Sequence, residues 1–139
     1  MKFPTLLRGP VARPIILLHL EADNGRRMYS DVLIDTGADI SLMPKAVAKN
    51  LKIDLAQCPE VIVNSAIGGE CRYRCCEVVL ELRRPPEVIR WRATVGFTER
   101  PMSYGILGTR GFFEFFRLEY DARAGFLIVE PNESLPTSE

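Results

Sequence analysis

A single histidine, four cysteines and no surplus of either charge leave this chain short of the groups most protein chemistry relies on. Eighteen Lys plus Arg balance 18 Asp plus Glu, for a formal net charge of zero. Without a basic block, phosphate-backbone binding has no electrostatic footing, so no nucleic-acid partner is expected. The same neutrality removes the usual attraction to an anionic membrane surface. His19 sits within Ile16-Leu17-Leu18-His19-Leu20, the setting of a structural strand residue, and gives thin support to Ser/His or Cys/His catalysis. Cys58, Cys71, Cys75 and Cys76 lack a paired C-x-x-C spacing, and one histidine cannot complete a common structural zinc site. No metal and no cofactor are therefore expected. A chain of this size builds a core without staples, so the expectation is four reduced thiols packed as small apolar groups. The apolar run at residues 15–18 is far too short to span a bilayer, and Met1-Lys2-Phe3-Pro4 lacks the apolar stretch of a signal peptide. These absences lead to the expectation of a soluble, cytoplasmic protein.

What is present suits one domain. The 139 residues are 47% hydrophobic and 26% charged, ordinary values for a globular chain with a continuous core. The reading is a single domain over 1–139, with its core at about 13–130 and a polar tail at 131–139. Punctuation is that of a β protein. Asp23-Asn24-Gly25 supplies turn residues between two apolar runs, so residues 14–35 read as a hairpin. Pro44 fits the start of a short helix over 45–51, with Val47 and Leu51 on one face. A second hairpin covers 60–83, where Cys76, Val78, Leu80 and Leu82 alternate with Cys75, Glu77, Val79 and Glu81. Arg84-Pro85-Pro86-Glu87 breaks the chain before a strand over 88–97. Residues 111–116 are expected to form one or two helical turns, and 118–120 and 126–130 a last hairpin. The fold class is all-β, with one or two short helices.

The informative segment is Val32-Leu33-Ile34-Asp35-Thr36-Gly37-Ala38-Asp39. An apolar strand runs directly into an acid, a hydroxyl and a glycine, which places Asp35 where a buried strand ends. Asp, Thr and Gly all favour turns, and from average usage the tripeptide occurs by chance in roughly one chain in thirty of this length. Alone it is weak.

Further features stand in a recognisable order. Arg13-Pro14 precedes the first strand of the long hairpin, Ala66-Ile67-Gly68-Gly69 forms a hairpin tip, and Ile106-Leu107-Gly108 is an aliphatic-aliphatic-Gly triplet. Together with Asp35-Thr36-Gly37-Ala38-Asp39 they resemble the retropepsin-like aspartic proteases, single-domain relatives of pepsin, over about residues 13–117. The resemblance implies a closed acid-protease barrel and assigns catalysis to Asp35, Thr36 and Gly37. It implies substrate binding by Ala38 and Asp39, and by Ala66, Ile67, Gly68 and Gly69 as a mobile flap. It also implies a pairing of Asp39 with Arg13 of a partner. Metal-free peptide hydrolysis needs two carboxyl groups sharing one proton, and the chain holds one such triplet. The implied function is a homodimeric aspartic endopeptidase acting on a peptide or protein substrate, and the alternative is a non-catalytic peptide-binding or dimerisation module of the same fold.

The sequence also departs from the retroviral pattern. Thr109, not Arg, follows Gly108, and Arg110 comes one place later. The first hairpin is longer, and a further hairpin follows the aliphatic-Gly triplet. Such extensions look more like cellular or bacterial members.

Overall fold

The protein, seen in a computed structural model, is described over residues 1–8, 11–64 and 69–136. Three short strands open the chain, β1 (Lys2–Pro4), β2 (Leu6–Arg8) and β3 (Val11–Arg13). The predicted first hairpin follows as β4 (Ile15–Glu21) and β5 (Arg27–Ile34), turned at residues 22–26. After β6 (Leu42–Pro44), Pro44 stands as N-cap of α1 (Lys45–Asn50) in extended conformation, and Val47, Ala48 and Leu51 turn inward. A 3-10 turn at Leu55–Gln57 leads into β7 (Glu60–Asn64), β8 (Glu70–Arg84) and β9 (Glu87–Thr98). The chain ends on β10 (Gly105–Leu107), β11 (Phe116–Asp121) and β12 (Phe126–Pro131).

Barrel closure follows from the length of β8. Its first part pairs with β7, from Asn64↔Glu70 to Glu60↔Arg74, and its later part pairs with β4, from Glu21↔Val79 to His19↔Glu81. The ring β4-β5-β10-β6-β9-β8 thereby returns to β4 and closes a six-strand barrel, with β7 left outside on β8. A second sheet, β1-β12-β11, flanks it, and Phe3, Leu127 and Val129 join the same apolar cluster as Leu18, Val78 and Trp91. Among the described residues no helix is long and apolar enough to cross a membrane.

Two expectations are corrected. The 111–116 segment is not helix: Gly111 sits in a bridge to Gly108, 112–115 are turns, and Phe116 opens β11. Gly111 lies at φ +97, its N–H donates to the Glu114 carboxylate at 2.8 Å, and successive amides reach back by different lengths: Phe113 to Gly108 O, Glu114 to Thr109 O, Phe116 to Phe112 O. This irregular turn carries Phe112 and Phe116 onto Trp91, whose Nε1–H donates to Gly111 O at 2.9 Å. The cysteines are not all free either. Cys58 and Cys76 form a disulfide, because β8 turns Cys76 inward and the chain entering β7 brings Cys58 to a Cα–Cα distance of 5.7 Å. Cys71 and Cys75 are the free thiols.

The β4–β8 seam carries a charge cluster. The Arg90 guanidinium donates to Glu21 at 2.7 Å and to Glu81 at 3.5 Å, Arg83 donates to Glu81 at 2.9 Å, and Arg27 pairs with Glu21 at 3.1 Å. The bond from Arg90 lowers the Glu21 pKa against a weaker opposing effect of burial. Burial pushes Glu81 up, but Arg83 and Arg90 together outweigh it and leave it lowered. Carboxyls held below their ordinary 4.5 bind fewer protons folded than unfolded, so their stabilisation is complete above that pH and fades as pH falls through the lowered values. The unfolding midpoint should therefore drop on acidification below pH 4.5. Arg90→Gln should remove on the order of 1–3 kcal/mol at neutral pH and flatten the acid limb. Thermal melts of both proteins across pH check this, and parallel curves would refute it.

Candidate active site

β10 lies between β5 and β6 in the barrel, parallel to β5 and antiparallel to β6. The connection from β5 to β6 must therefore cross the end of β10, and that crossing is the Asp35-Thr36-Gly37-Ala38-Asp39 segment. β5 is gripped on both sides up to its last residues. Ile34 N–H donates to Pro14 O at 2.9 Å, and Asp35 N–H donates to Leu107 O at 3.0 Å. Val32 and Ile34 are buried, so the apolar run anchors the strand while Asp35 emerges half-buried at its end. The carboxylate then accepts the Gly37 N–H at 2.9 Å, and Ala38 N–H donates to Asp35 O at 3.2 Å. Both bonds fold the loop back on Asp35 and fix its side chain. Thr36, Gly37 and Asp39 are exposed on the outer face of the turn.

Below the crossing, backbone meets backbone. Thr109 N–H donates to Ala38 O at 2.9 Å, Arg110 N–H to Asp39 O at 3.0 Å, and Ser41 N–H to Arg110 O at 3.1 Å. Gly108 lies under this lattice, where an added Cβ would come within 2.6 Å of both Ala38 O and Ile40 O. No other residue fits there without moving the loop. Ser41, fully buried, accepts the Gly108 N–H at 3.1 Å through Oγ and donates from Oγ to Arg110 O at 2.9 Å. It rivets the two crossing segments together. The sequence reading did not single out Ser41; a lone hydroxyl between Ile40 and Leu42 in an extended apolar run was the available signal.

The β7–β8 hairpin stands where the flap was expected, but Ala66, Ile67 and Gly68 lie outside the described residues. Gly69 enters β8 at φ +89 with nothing within 4 Å of a notional Cβ. Tyr73, farther along the same strand, is raised in pKa chiefly by burial and then by the Cys75 and Cys71 thiols, with Arg110 opposing and Asp39 adding a smaller push. Burial likewise raises Cys75 against the pull of Arg110. Tyr73 of β8 thus lies within electrostatic reach of Arg110 and Asp39, and Cys75 within reach of Arg110. Arg110 forms no ion pair with Asp39; its guanidinium borders a cleft of about 740 Å³ shared with Cys58, Cys75, Cys76 and Thr94. A second cleft of about 540 Å³ lies beside Lys45, Glu60, Arg72, Tyr73 and Glu99. Asp35 borders neither of these.

The family model for the aspartyl proteases matches residues 23–110, more than half the chain, from the turn of the first hairpin through Arg110. The chain belongs to the aspartyl protease family. Its fold is that of the retropepsin-like members. It superposes on a retropepsin-like aspartic protease from Rickettsia conorii with a TM-score of 0.61 at 14% identity, covering 94% of this chain and 98% of that one. The EIAV protease complexed with the inhibitor HBY-793 aligns at a TM-score of 0.42 and 21% identity, over 74% of this chain and 88% of that one. No curated protein matches by sequence.

In this aspartyl protease the rivet is open to test. Ser41→Ala leaves the buried Gly108 N–H without its acceptor, which should lower stability by about 1–3 kcal/mol in denaturant unfolding. An unchanged midpoint would show that the crossing holds without the hydroxyl.

Proposed function

We propose that this chain is an aspartic endopeptidase that works as a homodimer, with Asp35 of each protomer forming the catalytic pair. One observation carries the reading: a half-buried carboxylate, fixed by the Gly37 N–H and forming no ion pair among the described residues, sits where β5 ends and the loop crosses β10. Each chain supplies a single such group. Two of them about 3 Å apart across a two-fold axis cannot both ionise, so they hold one proton between them. The ionised member takes a proton from the attacking water while the protonated member donates to the scissile carbonyl oxygen. The tetrahedral intermediate then collapses with proton transfer to the leaving amine, and the pair returns to its single-proton state. The pair titrates jointly, so its pH profile belongs to both groups together.

The substrate in this reading is an extended peptide laid between the catalytic loop and the flap, as an added strand. Asp39 holds its main chain and pairs with Arg13 of the other protomer. What supports that role is the absence of an Arg110–Asp39 ion pair within the chain, which leaves the Asp39 carboxylate open. Thr36, exposed beside Asp35, bonds across to the loop of the second copy.

Asp35→Asn is nearly isosteric but cannot shuttle the proton, and should reduce cleavage of a diverse peptide library by at least on the order of 10²–10⁴-fold. Folding and dimerisation should persist, since the Asn side-chain oxygen still accepts the Gly37 N–H. Turnover retained in the purified mutant would sink the mechanism. So would specific activity that stays constant on dilution to concentrations where sedimentation shows only monomer.

A further inference from the structure

Strands β2 and β3 pair only with each other among the described residues, as Leu6↔Arg13, Leu7↔Ala12 and Arg8↔Val11. A two-stranded ribbon with both outer edges unpaired is at best marginally stable in water. Its root, however, sits at the catalytic loop. β4 starts two residues after β3, Ile15 pairs with Leu33, and Pro14 O accepts the Ile34 N–H at 2.9 Å. Continuing that register by one step sets Arg13 opposite Asp35. If two Asp35 carboxylates meet across a two-fold axis, the axis passes within a few ångströms of this point. A ribbon rooted there, three residues per strand and about 10 Å long at 3.3 Å per residue, runs beside the partner molecule.

The terminal strands are already engaged inside one chain. β1 pairs with β12 from Lys2↔Ile128 to Pro4↔Phe126, and β12 pairs along its length with β11. The terminal amino group donates to Val129 O at 3.1 Å, which fastens β1 further. The outer edge of β11 carries exposed Arg117, Glu119 and Asp121, charges that discourage strand addition. We infer that the β2–β3 ribbon, and not the β1-β12-β11 sheet, is the surface through which a second copy of this chain docks to complete the site. The contact is isologous: one edge of each ribbon meets the same edge of its symmetry mate and finds there the hydrogen-bond partners it lacks in the monomer. This rests on the dimeric reading above and adds to it where the two copies touch.

Hydrogen exchange on the unmodified protein tests it, read by mass spectrometry above and below the concentration at which sedimentation shows dissociation. Peptides spanning residues 6–13 should exchange on the order of tenfold more slowly in the dimer, while those spanning 116–121 and 126–131 stay unchanged. Slowing in the terminal sheet with none at 6–13 would overturn the assignment and leave the dimeric protease standing. A chain that sediments as monomer at every concentration, with no concentration-dependent protection and undiminished peptidase activity, would overturn both. The effect should reappear in Asp35→Asn, where docking is separated from chemistry.

Discussion

A strand lies between the two strands that the Asp35–Asp39 loop must join, and most of the molecule is arranged around that crossing. Backbone passing over backbone at hydrogen-bond distance leaves no room for a side chain, which accounts for Gly108 beneath Ala38 O and Ile40 O. It also strands polar groups away from water, and each needs a partner. Ser41 Oγ satisfies one donor and one acceptor in a single buried hydroxyl. With the floor fixed, Asp35 needs only the Leu107 carbonyl at its back and the Gly37 amide at its carboxylate to have one orientation. In the proposed dimer such short contacts matter, because a loose carboxylate would not meet its mate in register.

Charge is distributed unevenly between the two ends of the barrel. At the β4–β8 seam, Glu21 and Glu81 are neutralised within the chain by Arg27, Arg83 and Arg90. At the other end, Asp35 and Asp39 have backbone partners but no cation among the described residues. Net neutrality therefore conceals a seam that is electrostatically complete and a mouth that is not. The displacement of arginine from the place after Gly108 to Arg110 sharpens this. Its amide still bonds Asp39 O, but its side chain borders the Cys58–Cys76 cleft instead of the acid.

The features legible in the sequence were those set by period and by turn chemistry. Alternation along β8 marked Cys76, Val78, Leu80 and Leu82 as inward, and all four are buried. Yet Val79 and Glu81 are buried as well, because β4 returns to that part of β8 and closes the barrel, an event with no local signature. Asp35 was legible because an apolar strand ending on Asp-Thr-Gly is a local pattern; Ser41 was not, because its role exists only once Gly108 arrives from 67 residues away. The helix expected at 111–116 failed to a left-handed Gly111 and to the pull of Trp91 on Phe112 and Phe116, tertiary forces that override a short helical preference. The Cys58–Cys76 bond likewise depends on the register that brings β7 alongside β8.

A single chain thus finishes its own core, while in the proposed mechanism it supplies only half of an active site. The barrel closes, the terminal sheet packs onto it, and Trp91 ties the turn after the crossing to the wall of β9. None of that needs a second molecule. Peptide hydrolysis by shared protonation does, since one carboxyl cannot be acid and base in the same step. Separating the two requirements has a physical consequence. The energy that holds Asp35 in place is intramolecular, so in the proposed dimer each half-site is preorganised before protomers meet, and association need only align two rigid halves. Little conformational entropy is then lost on pairing beyond ordering of the β2–β3 ribbon, which lies outside the closed barrel.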